Sequence, residues 1–283
     1  MKPLFVVNAR GEREPFSFQK VERSAMMAGA SEQAAHQIAH SIQKWARDNV
    51  KTGDIFRQVR KRLDKHHPSF ALRFSLKQAM RALGPTGFPF EKYVASLLKS
   101  TGYGVKLSQY ISGRCLNDYE IDFLAERDSI LKFGECKYRN QAGACIDQEI
   151  ALANYARFLD IKGGGFCEGK VKSGLTAKSI LVTNTRFSER AVAYSECVGV
   201  ELWGWKYPPN NGLEKFIDDK KLYPITILPS FRKHLFPFFI QSDLILARDV
   251  LEIDLKELAA RSRLPLRDLQ KMANEARGLF ENI

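Results

Sequence analysis

Glu135, Cys136 and Lys137 lie together inside an apolar run, Ile130 to Tyr138. Side chains alternate along an extended chain, so Glu135 and Lys137 are expected on one face and Cys136 on the other. Asp122 lies in a preceding extended stretch, Glu120 to Glu126, with a short turn at Arg127-Asp128 between the two. A hairpin there would bring the carboxylates of Asp122 and Glu135 side by side. Two carboxylates, waters and a backbone carbonyl, that of Cys136, make a hard-oxygen site suited to Mg²⁺ or Mn²⁺. Such an ion can orient a hydroxide and neutralise charge on a phosphoryl group in transit, and a lysine at the same edge can stabilise that charge. Glu91, on an earlier helix, could add a third carboxylate. On residue types alone, a solvated, ion-paired surface hairpin is the favoured reading. The apolar character of the strand up to Gly134 favours a site.

The elements around these residues read as a mixed α/β arrangement. A helix is expected from Phe90 to Ser100, ended by Gly102. Three strands follow, an extended stretch beginning at Val105 to Leu107 and the two named above, then a helix from Ile146 to Leu159 and a Gly-rich basic loop over 162–176. A strand Ser179 to Thr183, a helix Ser188 to Val198 and a strand Val200 to Trp205 complete the order. Trp203 and Trp205 are expected to share one side of that last strand and fill core. Upstream, a strand at Leu4 to Val7 precedes four helices. They are Phe18 to Ala28 (capped by Ser17), Ser31 to Asn49, one carrying Ile55, Val59 and Leu63, and Phe70 to Met80. The stretch Gly84-Pro-Thr-Gly-Phe-Pro89 breaks any helix. It sets three segments: 1–87, 88–223 and a helical tail, 224–283.

Charge is distributed unevenly. Residues 1–88 carry 16 Lys and Arg against 7 Asp and Glu, a net +9 of the chain's total of +12. Such a field attracts polyanions, nucleic acid among them. No apolar run is long enough for a membrane span, and the start of the chain turns charged too early for a signal peptide, so a cytoplasmic setting is expected. The five cysteines form no C-x-x-C pair, which argues against a structural zinc site or a disulfide framework.

Four stretches in order carry a resemblance: F-E-K-Y-V-A-S-L-L-K-S-T-G-Y at 90–103, Gly113 with D-Y-E-I-D at 118–122, G-E-C-K at 134–137, and L-V-T-N-T-R-F-S-E-R-A at 181–191 leading to V-E-L-W at 200–203. Together they resemble the Mrr-type restriction endonuclease domain of the PD-(D/E)xK nuclease superfamily. The resemblance implies a restriction-endonuclease-like mixed sheet flanked by helices. It also implies a metal-dependent endonuclease acting on DNA, and a homodimer to cut both strands. It places catalytic roles on Glu91, Asp122, Glu135 and Lys137, and an assisting polar residue downstream, here Gln148. Glu120 stands where the family commonly has histidine or glycine. Two other outcomes remain open: a catalytically inactive nucleic-acid-binding regulator, and a structure-selective nuclease for branched DNA or RNA.

Residues 4–83 resemble an ATP-cone, a small nucleotide-binding regulatory module. The matching residues are Val6-Val7, Gly11, Glu14-Pro15-Phe16, Lys20-Val21 and the helices after them. The resemblance implies ATP or dATP held through Lys20 and Arg23. The usual Lys-Arg after the opening valines is Asn8-Ala9 here, leaving Arg10 and Arg13 to compensate. Binding DNA through the basic surface and serving as a packing module are the competing readings.

Overall fold

The computed structural model describes residues 4–84, 86–166, 169 and 174–280. They divide into two compact units. The first comprises 1–80, 225–235 and 247–283, and the second 81–224 and 236–246.

In the first unit, β1 (Phe5–Val7) pairs antiparallel with β2 (Arg13–Pro15) and parallel with β3 (Val50–Lys51). The two outer strands are too short and too polar to show a pattern of their own. Helices α1 (Phe18–Met27), α2 (Glu32–Trp45), α3 (Thr52–His66) and α4 (Pro68–Phe74) follow. Ser17 caps α1 by accepting from the Lys20 N–H, and Ser31 caps α2 through the Ala34 N–H. Their buried faces meet in one core built from Ala25, Ile38, Ile42, Val59, Leu63 and neighbours. The single helix expected over 70–80 is two. Ser75 ends α4, its hydroxyl donating to the Ala71 carbonyl, and α5 (Leu76–Arg81) begins beyond it.

The second unit carries α6 (Phe88–Lys99) and then β4 (Gly104–Ile111), β5 (Tyr119–Arg127) and β6 (Ile130–Lys137). These three strands run antiparallel. β7 (Cys145–Ile146), α7 (Gln148–Lys162), β8 (Thr176–Thr183), β9 (Arg186–Phe187), α8 (Glu189–Val198), β10 (Glu201–Trp203) and α9 (Leu213–Lys220) complete the segment. β6, β8 and β10 are parallel, giving a mixed five-stranded sheet in the order β10-β8-β6-β5-β4, with β7 and β9 as a separate parallel pair. The chain is thus a mixed α/β protein with mixed sheets flanked by helices. β10 ends at Trp203, which packs edge-on against Phe216; Trp205 lies beyond the strand.

Two boundaries differ from those read in the sequence. The division falls between Met80 and Arg81, not at residue 87. The Gly84 stretch belongs to the second unit because Tyr138 holds it. A Cβ at Gly84 would stand 2.5 Å from the Tyr138 ring, and the Tyr138 hydroxyl donates to the Arg81 carbonyl. Nor do residues 224–283 form a segment of their own. Residues 225–235 and 247–283 join the first unit, for example through the Thr226 hydroxyl on the Ala79 carbonyl. Residues 236–246 join the second, where the Lys92 ammonium donates to the Ile240 carbonyl and to Asp243. Amphipathic helices in that tail gave no sign of which core they cover.

Among the described residues no helix is long and apolar enough to cross a membrane. Cys115, Cys136, Cys145 and Cys197 carry free thiols; Cys167, with residues 168 and 170–173 of the basic loop, lies outside the described residues.

Candidate active site

β5 and β6 pair from Arg127↔Ile130 up to Phe123↔Gly134, and there the ladder stops. Beyond it β5 continues only along β4, and β6 only along β8. The two central strands therefore part at Asp122 and Glu135. A freed backbone donor on β6 needs another acceptor. Asp122 supplies it: its Oδ2 accepts from the Cys136 N–H at 2.6 Å.

Gly134 fixes this register. A Cβ there would stand 2.1 Å from Cζ of Phe123, so the fully buried Phe123 ring lies across β6 only because residue 134 has no side chain. The β4 residue Ser108, across from Asp122 in the register, has φ 48°. Non-glycine residues avoid this left-handed region, and it marks a kink. On β5, Ile121 and Leu124, three apart, enter the same core cluster. Alternation therefore slips by one residue beside Asp122, which the simple hairpin expectation did not contain.

Glu135 is buried, with 6% exposure. One carboxylate oxygen accepts from the Lys137 ammonium, and the other from Arg157 Nη1 at 2.6 Å. A buried carboxylate needs such partners, because an unpaired one carries a heavy desolvation penalty. Arg157 comes from α7, whose Asn154 side chain donates to the Ser179 hydroxyl at 2.9 Å on the adjacent strand. Sequence reasoning missed Arg157. The available signal was the polar pair Asn154 and Arg157, three apart on a helix otherwise anchored by Ala151, Phe158 and Ile161.

The carboxylates feel one another. Asp122 is pushed up to about 6, first by burial and then by the charge of Glu135; the Cys136 N–H, Lys137 and Arg157 act in the opposite sense. Glu91, in the first turn of α6, is pushed up to about 7 by burial and by Asp122, Glu120 and Glu135, against Lys137. Glu91, Glu120, Asp122, Glu135 and Lys137 thus share one electrostatic neighbourhood. Burial drives the Cys136 thiol well above its ordinary value. The sulfur is a poor metal donor, and Cys136 enters the site through its backbone. Gln148 opens α7, half-buried, one turn before Ala151 on the helix's buried stripe.

Among the described residues no three Asp, Glu, His or Cys side chains are gathered closely enough to hold a metal ion. The expected trio of Glu91, Asp122 and Glu135 is therefore not assembled as the side chains lie. The reason is visible: Glu135 is turned to Lys137 and Arg157, and Asp122 to Cys136. The donor set still suits a hard cation. Mutual repulsion among Glu91, Asp122 and Glu135 is what a divalent ion would relieve.

In the first unit, a cavity of about 190 Å³ is lined by Phe16, Val21, Ile55, Phe56 and Phe74 among others, with Glu14 and Lys20 at its polar side. Lys20 stands 3.9 Å from Glu14. Arg10, Arg13 and Arg23 do not line it. Arg13 is committed elsewhere, to Asp48 at 3.1 Å and Asn49 at 2.9 Å, over the Phe5 ring. Arg23 is exposed on α1. Of the four cations named for a nucleotide from the sequence, Lys20 alone lines this cavity.

A mixed sheet flanked by helices, opened at a cluster of carboxylates and two cations, defines the class of the second unit. No family model matches the chain. An uncharacterised protein of Archaeoglobus fulgidus is 37% identical over 158 residues, covering 56% of this chain and 83% of the relative. The chain belongs to the family of that archaeal protein. A crystal structure of a protein of unknown function, AF1548, is 32% identical, with a TM-score of 0.59. The match covers 70% of this chain and all of the other.

Proposed function

We propose that this protein is a divalent-metal-dependent DNA endonuclease, and that its second unit is a restriction-endonuclease-like domain. The observation that carries the reading is the parting of β5 and β6 at Asp122 and Glu135, with Lys137 bound to Glu135. Asp122 and Glu135 would hold a Mg²⁺ or Mn²⁺ ion. When bound, such an ion supplies Lewis acidity at a phosphodiester and lowers the pKa of a coordinated water.

The chain's own groups have defined tasks. Lys137 places an ammonium beside the carboxylates, where it offsets charge growing on a phosphoryl oxygen. Glu91, at about 7, can accept or release a proton near neutrality at its carboxylate. Arg157 keeps Glu135 oriented. Gln148, half-buried at the start of α7, is proposed as an auxiliary group, and the enzyme as a homodimer on duplex DNA.

One observation favours a second reading, an inactive nucleic-acid-binding regulator: both Glu135 oxygens are already taken by cations. Incubation of supercoiled plasmid with Mg²⁺ or Mn²⁺ separates the two. Nicked or linear product supports the nuclease; binding with intact plasmid supports the regulator. The cavity beside Lys20 is proposed as the nucleotide site, and calorimetry with ATP and dATP tests it. Absence of heat with both removes that part of the account.

A further inference from the structure

The last helix, Leu266–Phe280, has an inner stripe of Leu269, Met272, Ala273, Ala276 and Leu279, all buried. It packs against α4 within the first unit. Before it comes a shorter helix, Leu255–Ser262, anchored by the buried Leu258. Asp254 caps that helix by accepting from the Lys256 N–H at 2.7 Å. Only Arg263, Leu264 and Pro265 separate the two helices, and Arg263 has φ 58°. A left-handed residue reverses the chain within so short a link, and Pro265 bars the first helix from continuing. The result is two helices joined by a three-residue turn, the second long and pinned along one side only.

The opposite side of the long helix is exposed and presents Arg267, Gln270, Lys271, Asn274 and Arg277. At 3.6 residues per turn these form one stripe. Their types match base-edge chemistry: Arg and Lys donate to guanine O6 and N7, and Asn and Gln pair with adenine N6 and N7. Acidic groups are few there. Asp268 lies 3.6 Å from Arg267, while Glu275 accepts from the Ser230 N–H at 2.9 Å. Among the described residues Arg263 and Lys271 make no ion pair. A helix of 15 residues is about 22 Å long, and the major groove, about 12 Å wide, admits one.

We propose that residues 255–280 form a helix–turn–helix docking unit for duplex DNA. The helix Leu266–Phe280 lies in the major groove, with Arg263 and Arg267 reaching phosphates at its start. This builds on the endonuclease reading by naming how the chain engages its polymer, and it rests on a different surface.

Fluorescence anisotropy with a labelled duplex of about two helical turns tests it. The measurement is made across a salt series in the Asp122→Ala background, so that the duplex stays intact. Adding Arg267→Ala and Lys271→Ala is expected to weaken binding at least ~10-fold near 0.1 M salt and to lower the log–log salt slope by about 2. Both residues are exposed, so the melting temperature should not change. Unchanged affinity and slope overturn the proposal, as does failure to bind duplex DNA or a preference for an RNA duplex. Plasmid cleavage that persists when this binding fails leaves the nuclease reading standing. Binding through this helix without any cleavage sinks the nuclease reading alone.

Discussion

Replacing Asp122 by Asn should stabilise the metal-free protein at alkaline pH and leave it nearly unchanged in acid. Asp122 has a folded value of about 6 against an ordinary 3.8. A carboxyl raised in this way favours the folded state below its unfolded value, and the advantage disappears as pH rises through 3.8 to about 6. Above that window the folded protein carries an ionised, half-buried carboxylate beside Glu135 and Glu91. At about 1.36 kcal/mol for each tenfold change in proton affinity, the rise from 3.8 to about 6 corresponds to an upper bound of roughly 3 kcal/mol, and partial exposure reduces it to about 1–2. Asn keeps an oxygen to accept the Cys136 N–H and removes the charge. The expected gain at about pH 8 is therefore a few degrees in melting temperature, roughly 2–4 °C per kcal/mol for a chain of this size. At about pH 4, near the unfolded value, the gain should nearly vanish. Differential scanning calorimetry at both pH values reads the difference directly. A variant less stable than the parent at alkaline pH, or one shifted equally at both, refutes the electrostatic reasoning.

Other perturbations reach the same site from different sides. Mg²⁺ should raise the melting temperature more at about pH 8 than at about pH 5, because Asp122 and Glu91 must release protons to accept a cation; equal shifts at both would contradict the assignment. Gly134→Ala should destabilise by about 1–3 kcal/mol or more, since the new Cβ meets the Phe123 ring, and a denaturant titration with an unchanged midpoint would show that the ring is not fixed there. Arg157→Ala withdraws one partner from a buried carboxylate and should cost about 1–3 kcal/mol, the partial exposure of Arg157 keeping it below the usual range for a buried pair; chemical denaturation checks this. Lys137→Ala should slow plasmid cleavage by about 10²–10³ while leaving duplex binding within a few-fold.

The strongly periodic elements were legible in the sequence. α1, α2 and α6 follow from Ser17, Ser31 and their apolar stripes, and β5, β6 and β8 from compact apolar runs. The order of helices and strands gave the mixed sheet. What stayed hidden was set by contacts between distant residues. Nothing local marks Arg157 as the partner of Glu135, and nothing near Asp122 announces the kink at Ser108. Arg13 has the type of a phosphate ligand, yet Asp48, 35 residues away, claims its guanidinium. Gly84 looks like a linker residue until Tyr138 is seen to rest on it. The assignment of 225–235 and 247–283 to one core and 236–246 to the other depends on packing that amphipathic pattern alone does not encode.

The most direct trial is a time course on supercoiled plasmid with purified protein, its Asp122→Ala variant and a chelator control, each with Mg²⁺ and with Mn²⁺. The account predicts nicked and linear products from the parent protein, abolished by chelation and by the substitution. Intact plasmid with both ions, or equal cutting by the variant, contradicts it.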